Sequence, residues 1–479
     1  MSFSVALVAL LGLTALSNSA HAFSLEWSGL YRIEALRIKN SELESIERNK
    51  AYINHHLILR PRAVVADGLS VFSRFDILNN ADLPNSQFGQ FFGNGVGGAP
   101  NNSADNTNVL AGNQADETLR VTELYLTYHF EFATLIAGRA PLHFGLGLTH
   151  NSGSGQFDHW YDNRDLVAFE MVMGNLKFRP MFAKAVEGEL DIGDDINEYM
   201  FQMDYENAET DTSFGLFYQS RRSGLSGNDI PAGLSASGIV GGFEGKNINF
   251  YMKRGWEDFS FGLEGGFAKG KTGLRDSSNN DIGFDGFGIA VELDYQKPQS
   301  LWHWNLKTGL AGGDNPDTAN TLEGFFFDRN YEIGLLLFNH VVGQFDALST
   351  SLVRDTTLDV AGANGFTNAG SVPDVESLSN VIYLAPGFTH KWKDEWSWGG
   401  RLIYAVLSET NLRVNGALTN VESDLGYELD FNLTYRPHER FTWVSEVGLL
   451  SPGAAFEGGA TGLDSKFAYG IMTKAAINF

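Results

Sequence analysis

The sequence predicts an all-β fold: a single closed antiparallel transmembrane β-barrel of about 18 strands (roughly 16–20), with short periplasmic turns and long extracellular loops. Three observations predict it. Apolar and polar side chains alternate with period two along many segments. Short and long connections alternate by parity along the chain. Beyond the N-terminal leader, nothing holds the run of about 18 apolar residues that a membrane helix requires.

Composition narrows the function classes. The 479 residues include no cysteine, 54 glycines and 36 phenylalanines, and 34 basic against 58 acidic side chains leave a net charge of −24. Without cysteine there are no disulfides, thiolate metal sites or cysteine nucleophiles. The strong negative charge argues against a nucleic-acid partner, because little would neutralise phosphates. Only 19% of residues are charged, and glycine and aromatics are abundant, which argues against disorder. A soluble chain of this length would ordinarily divide into domains, whereas a closed barrel uses all of it as one.

The elements follow in order. Val5 to Leu16 is an apolar run too short to span a bilayer, followed by Ser17-Asn18-Ser19 and then Ala20-His21-Ala22. This reads as a secretory signal over 1–22 cleaved before Phe23, leaving 23–479 as the barrel, although Met1 to Ser4 carries no Lys or Arg. Leu176, Phe178, Pro180 and Phe182 alternate with Lys177 and Arg179. Trp302, Trp304, Leu306 and Leu310 alternate with His303, Asn305 and Lys307. Trp396 to Val406 alternates around Arg401, and Leu425 to Tyr435 around Glu428 and Asp430. The last strip places Tyr469, Ile471, Thr473, Ala475, Ile477 and Phe479 on one face.

Connections decide between a sandwich and a membrane barrel. Tight turns fall at 66–68, 131–132, 174–175, 208–210, 256–258, 296–300, 393–395 and 437–440. Long connections lie between them at 39–50, 79–117, 142–163, 187–196, 223–245, 270–283, 312–376, 409–423 and 452–465. A sandwich has no reason to sort its loops by parity, whereas an outer-membrane barrel does. The stretch Phe325–Phe338 either hides two further strands or folds into the barrel mouth. Strand backbone in hydrocarbon must be fully paired, so the sheet has to close on itself. Trp27, Tyr128, Trp256, Tyr295, Trp302, Trp396 and Trp443 recur beside short turns, as an interfacial girdle requires.

The polar face then lines the lumen. In the first half it carries Arg32, Arg60, Arg62, Arg74, Arg139, Lys177 and Arg179 against Glu26, Glu34, Asp76, Glu123 and Glu170. In the second half it carries Glu264, Glu292, Asp294, Glu428, Asp430 and Glu446 against Lys253, Lys307, Arg401 and Arg436. The imbalance implies a transverse field that sets ion and solute preference; the bland alternative is that these charges pair and brace the wall. A one-residue slip would invert any single strand.

Loops supply the other candidates. Pro141, His143, Phe144, His159 and Trp160 belong to a connection apolar enough to fold inward and narrow the pore. The same connection holds His150, Ser152, Ser154, Asp158 and Asp162, the residue types of a nucleophilic site, but in no recognisable spacing. Asp314, Asn315, Asp317, Asn320 and Glu323 cluster oxygen ligands without the spacing of a calcium loop. Gly93 to Gly98 lacks the lysine and helix of a phosphate cradle. No metal or cofactor is expected. Acidic loops are suited to divalent cations that bridge lipopolysaccharide.

The run Leu135 to Gly145, with Gly138-Arg139-Ala140-Pro141, resembles a segment of bacterial porin-like barrels. Leu425 to Asp430, Tyr435-Arg436-Pro437 and Gly448 to Phe456 resemble the ending of alginate-export-type outer-membrane barrels. The terminal Phe479 resembles the signal read by the barrel-assembly machinery. The resemblance implies an 18-stranded monomeric pore in the outer membrane of a Gram-negative bacterium. Arg139 matches the motif arginine. Expected partners are outer-membrane lipids, lipopolysaccharide, the assembly machinery and a transported small polar solute or anionic polysaccharide. The competing reading is a structural or adhesive surface barrel with a loop-blocked lumen.

Overall fold

The computed structural model describes residues 23–41, 43, 49–79, 89–92, 119–186, 195–224, 242–275, 280–315, 318, 320–340, 342–343, 377–414, 417–457 and 465–479. The expected secretory signal, the Gly93–Gly98 tip, Asp317 and all of 344–376 lie outside the described residues.

The first nine strands are β1 (Ser24–Lys39), β2 (Asn49–Ala66), β3 (Leu69–Ile77), β4 (Gln90–Phe91), β5 (Leu119–His129), β6 (Thr134–Pro141), β7 (Asn163–Met173), β8 (Leu176–Val186) and β9 (Ile196–Asn207). The next six are β10 (Thr212–Ser223), β11 (Glu244–Gly255), β12 (Phe259–Arg275), β13 (Asp281–Tyr295), β14 (Trp302–Ala311) and β15 (Thr321–Leu322). The last seven are β16 (Val381–Lys391), β17 (Trp396–Leu407), β18 (Asn411–Val414), β19 (Ala417–Asn420), β20 (Asp424–His438), β21 (Phe441–Pro452) and β22 (Ala468–Asn478).

Eighteen of these strands build the wall, each antiparallel to the next. The short β4 and β15 attach at the rim, and β18 with β19 forms a separate hairpin. The wall closes where β1 pairs with β22 from Leu30↔Asn478 to Lys39↔Tyr469. Closure leaves no open edge, so every wall strand has two partners. The terminal Phe479 completes the seam by exchanging backbone hydrogen bonds with Gly29 at 2.8 and 3.0 Å.

Period-two patterning fixes the facing. In β1, Leu30, Arg32, Glu34, Leu36 and Ile38 are buried toward the lumen, whereas Leu25 and Trp27 are exposed. Val167, Phe169, Tyr199, Phe201, Phe214, Leu216, Ile248, Leu384, Leu402 and Ile471 are likewise exposed on the outer face. Such a contiguous apolar belt suits hydrocarbon, not water. Below it, aromatic rings cluster beside the short turns: Trp302 lies 5.9 Å from Trp398, and Trp396 lies 4.4 Å from Tyr435.

The region 312–376 adds no wall strand among its described residues. From Thr321 to His340 the chain turns inward, touching the wall edge through β15 and a bridge between Phe326 and Ser379. The core therefore sits inside the barrel. Leu148, Phe325, Phe327, Tyr331, Ile333 and Leu335–Phe338 pack on inward wall residues such as Leu36, Ala290, Tyr383, Ile403 and Leu450.

Candidate functional site: two infolded loops in a charged lumen

The first infolded loop runs from Leu142 to Asp162 between β6 and β7. Its base is pinned by Leu142 N–H donating to Asp162 O at 2.8 Å. Leu142 and Phe144 are fully buried, because Leu166, Ala168, Met181, Ala183, Met200 and Phe217 present an apolar inner wall on that side. Phe144 crosses to Phe217 and Tyr251, with ring centroids 5.7 and 6.4 Å away. Across the lumen, Glu264 on β12 accepts hydrogen bonds from Leu146 N (2.6 Å), Leu148 N (3.2 Å) and the Thr149 hydroxyl (3.2 Å). Gly145, at φ +56°, brings the backbone to that carboxylate; a Cβ there would sit 2.7 Å from Glu264 Oε2.

The return arm docks on a buried polar chain. Arg32 Nη2 donates to Nδ1 of His56 (3.2 Å) and of His159 (3.0 Å), and its Nη1 donates to Asp158 O. Each imidazole therefore carries its proton on Nε2, which faces a carboxylate: His159 Nε2 lies 2.9 Å from Glu34, and His56 Nε2 lies 2.9 Å from Asp76. Arg74 grips Asp76 through Nε and Nη2, both at 3.1 Å, and stacks on Tyr161 at 4.5 Å. Thr122 also donates to Asp76. Arg32 and Arg74 are only 1% and 2% exposed, so their charge holds the loop rather than facing water. Burial pushes the imidazoles of His143, His150 and His159 below the usual histidine value.

The second loop, Glu323–His340, is captured in the same way. Glu428 accepts from Leu336 N (2.6 Å) and Leu337 N (2.7 Å), and Asp430 accepts from Leu335 N (2.9 Å). Arg401 donates to Ile333 O at 3.3 Å and to Asn305 at 3.2 Å. Burial pushes the carboxyls of Asp328 and Glu332 up to about 7. The two loops also hold each other. Asn330 Oδ1 accepts from His159 N and Trp160 N, its Nδ2 donates to Trp160 O at 2.8 Å, and Asp328 N donates to Leu148 O at 2.7 Å.

The remaining wall charges divide into pairs and open positions. Glu292 pairs with Lys307 at 3.0 Å, Asp294 with His303 at 2.9 Å and Glu446 with Lys474 at 2.8 Å, while Arg179 pairs with Glu170. A cavity of about 270 Å³ lies beside Arg401, Asp430, Glu446, Lys474, Asn305 and Glu332. Arg60 faces the same space as Arg74 and Glu123, and Lys177 sits opposite Asp204. His56, Thr122, Asn330 and Glu198 were not singled out by sequence reasoning. The even register of Arg60 and Arg62 already turns His56 inward, whereas Asn330 carries no such signal. Glu198 is buried and holds Arg164 at 3.0 Å, together with Arg221.

One expectation needs correction. Arg139 does not face the lumen. It is paired across strands with Leu124 and Asp165, both exposed, and forms an outward ion pair with Asp165 at 2.8 Å. The inward positions of β6 are Ile136 and Ala140, because only small or apolar side chains leave room for the first loop. Pro141 ends β6 on the same outward register. The nucleophilic residue types of 143–162 serve as braces. His143 accepts from Ser152 N, Asp162 from Asn151 N and Asp158 from Gly155 N, while His159 meets Glu34. Asp314, in the oxygen-rich stretch, accepts from Glu323 N at 2.6 Å. Among the described residues no group of three or more His, Asp or Glu side chains is gathered for a metal ion.

No family model matches the chain. No curated protein sequence matches it either. Solved structures do. The OccK2 (OpdF) structure of Pseudomonas aeruginosa in complex with glucuronate superposes with a TM-score of 0.51 at 10% identity, over 95% of this chain and 98% of that one. OccK9 (OpdG) of the same organism gives 0.51 at 8% identity, over 95% and 99%. OccAB1 of Acinetobacter baumannii gives 0.50 at 8%, over 95% and 96%. The chain shares their barrel fold. The likeness is architectural, and what passes through this lumen has to be argued from its own residues.

Proposed function

We propose that the protein is a porin-like outer-membrane channel of a Gram-negative bacterium, passing small polar solutes down their gradient. One observation carries the reading: a closed wall with an apolar belt outside and charged side chains inside, narrowed by two loops held on lumen carboxylates. A structural barrel has no need of charge inside; a channel uses it to select. Arg60 on β2 and Lys177 on β8, with Asp430 on β20 and Glu446 on β21, favour solutes carrying a carboxylate and hydroxyls. OccK2 was solved with glucuronate, a solute of that class. Both infolded loops favour a small solute over an anionic polysaccharide such as alginate, which would need them displaced. Residues 1–22 serve as the export signal, and Phe479 at the seam is available to the assembly machinery.

The test is single-channel recording in planar bilayers with and without glucuronate. Discrete conductance that glucuronate blocks in a concentration-dependent way is expected. The apolar packing of the loops favours a second reading, a surface barrel with a blocked lumen. A purified, folded barrel that stays silent would establish that reading instead.

A further inference from the structure

The outer face changes character along one sharp line. On β11 and β12 the outward residues Ile248 and Phe267 are cross-strand partners, 47% and 50% exposed. One rung nearer the extracellular rim, the outward partners are Lys246 and Lys269, 51% and 76% exposed. Like charges placed directly opposite repel, and Lys246 is only weakly offset by its neighbours. Glu244 lies 4.0 Å from Lys246 but only 3.3 Å from Arg222, which claims it. Asp285 binds Lys269 at 2.6 Å and leaves Lys246 alone. Lys271 stands one rung higher on β12, beside Asp281. The cations therefore outnumber the carboxylates directly above an exposed apolar column. On β16, β17 and β20 the outward residues toward the long-loop ends include Ile382, Leu384, Tyr404 and Tyr427, none of them charged.

We propose that the Lys246–Lys269 rung, flanked by Arg222 and Lys271, is a binding site for the phosphorylated headgroup of an outer-leaflet glycolipid, whose acyl chains lie on Ile248 and Phe267. This inference rests on the outer-membrane reading above. A phosphate between two opposed ammonium groups converts their repulsion into two charge-assisted contacts. Long lysine stems reach from the edge of the apolar belt up to the headgroup level. An apolar column directly below a cationic rung is the complement of a molecule with chains below and phosphate above. The complement is a lipid, not a free anion, because the apolar rung is continuous with the cationic one.

The experiment uses the full-length protein purified in detergent. Binding is measured by native mass spectrometry with three probes: a diphosphorylated acylated glucosamine disaccharide, its phosphate-free analogue, and inorganic pyrophosphate. The phosphorylated lipid is expected to bind at least about tenfold tighter than the phosphate-free one. Lys246→Gln with Lys269→Gln should abolish that preference, and Lys246→Arg with Lys269→Arg should keep it. Arg37→Gln with Lys39→Gln, outward on β1, should leave it unchanged. Retention of the preference in the double glutamine variant would overturn the site, and pyrophosphate displacing the lipid at equal concentration would overturn the lipid assignment. Conductance is recorded in parallel, because this outward rung does not touch the lumen. A barrel that binds the lipid but does not conduct sinks the channel reading alone.

Discussion

At the scale of single residues, a formal charge on the wall reveals little until its neighbours are known. Arg32, Arg74 and Arg60 lie on three neighbouring inward positions, yet the first two are consumed in holding the His56–His159 chain. Arg60 is left to act on a passing solute. Arg60→Gln with Lys177→Gln should move the reversal potential in a salt gradient toward cation preference, by several millivolts. Arg139→Gln should not move it, because its ion pair with Asp165 lies on the outer face. The sequence turns Arg32, Arg74, Glu264 and Glu428 inward by alternation alone, and all four are buried in the structure. It misplaced Arg139 because β6 is short and its inward positions are apolar, which removes the polar signal by which a lumen face is recognised.

At the scale of elements, the loops behave as parts held by few, strong attachments. Glu264 receives two backbone N–H groups and one hydroxyl from the first loop. Glu264→Ala orphans these donors at a cost of about 2–3 kcal/mol to the infolded state. The expected outcome is higher single-channel conductance and faster amide exchange over 142–162. A conductance equal to wild type would show that the loop does not limit passage. Glu428→Ala should free the second loop in the same way.

The loops also differ in their response to pH, and the signs are opposite. The histidines of the first loop have their proton affinity lowered on folding. The displaced loop thus binds more protons than the docked one below about pH 6.5, and docking weakens on acidification. Asp328 and Glu332 have theirs raised to about 7, so docking of the second loop strengthens on acidification and weakens as pH rises through the 4–7 range. Hydrogen exchange measured at about pH 7.5 and about pH 5, corrected for intrinsic rates, should show protection falling over 142–162 and rising over 323–340. That the loops turn inward was legible for 142–163 in its apolar run. For Phe325–Phe338 the sequence left strand and loop equally open, because a short apolar run fits either. The partner that decides it, Glu428 and Asp430 on a strand about 90 residues away, is visible only once the barrel closes.

At the scale of the whole molecule, the wall was readable because its constraints are repetitive: alternation, loop parity and an even strand number each imply the others. The lumen was not, because its contacts join residues by closure rather than by local pattern. The seam between β1 and β22 is the element on which the cylinder depends. Removing 468–479 deletes one wall strand and exposes two edges, so no folded barrel should form. Intact protein should migrate as a compact band in cold dodecyl sulfate and shift on boiling, and the truncated chain should show only the shifted band.

The clasp at Asn330 has a wider consequence. Because one amide side chain ties the return arm of the first tongue to the second, neither can swing aside without loosening its neighbour. Traffic through this cylinder is therefore expected to switch in whole steps, as a door with two linked leaves does, and Asn330→Ala should blur those steps into partial openings.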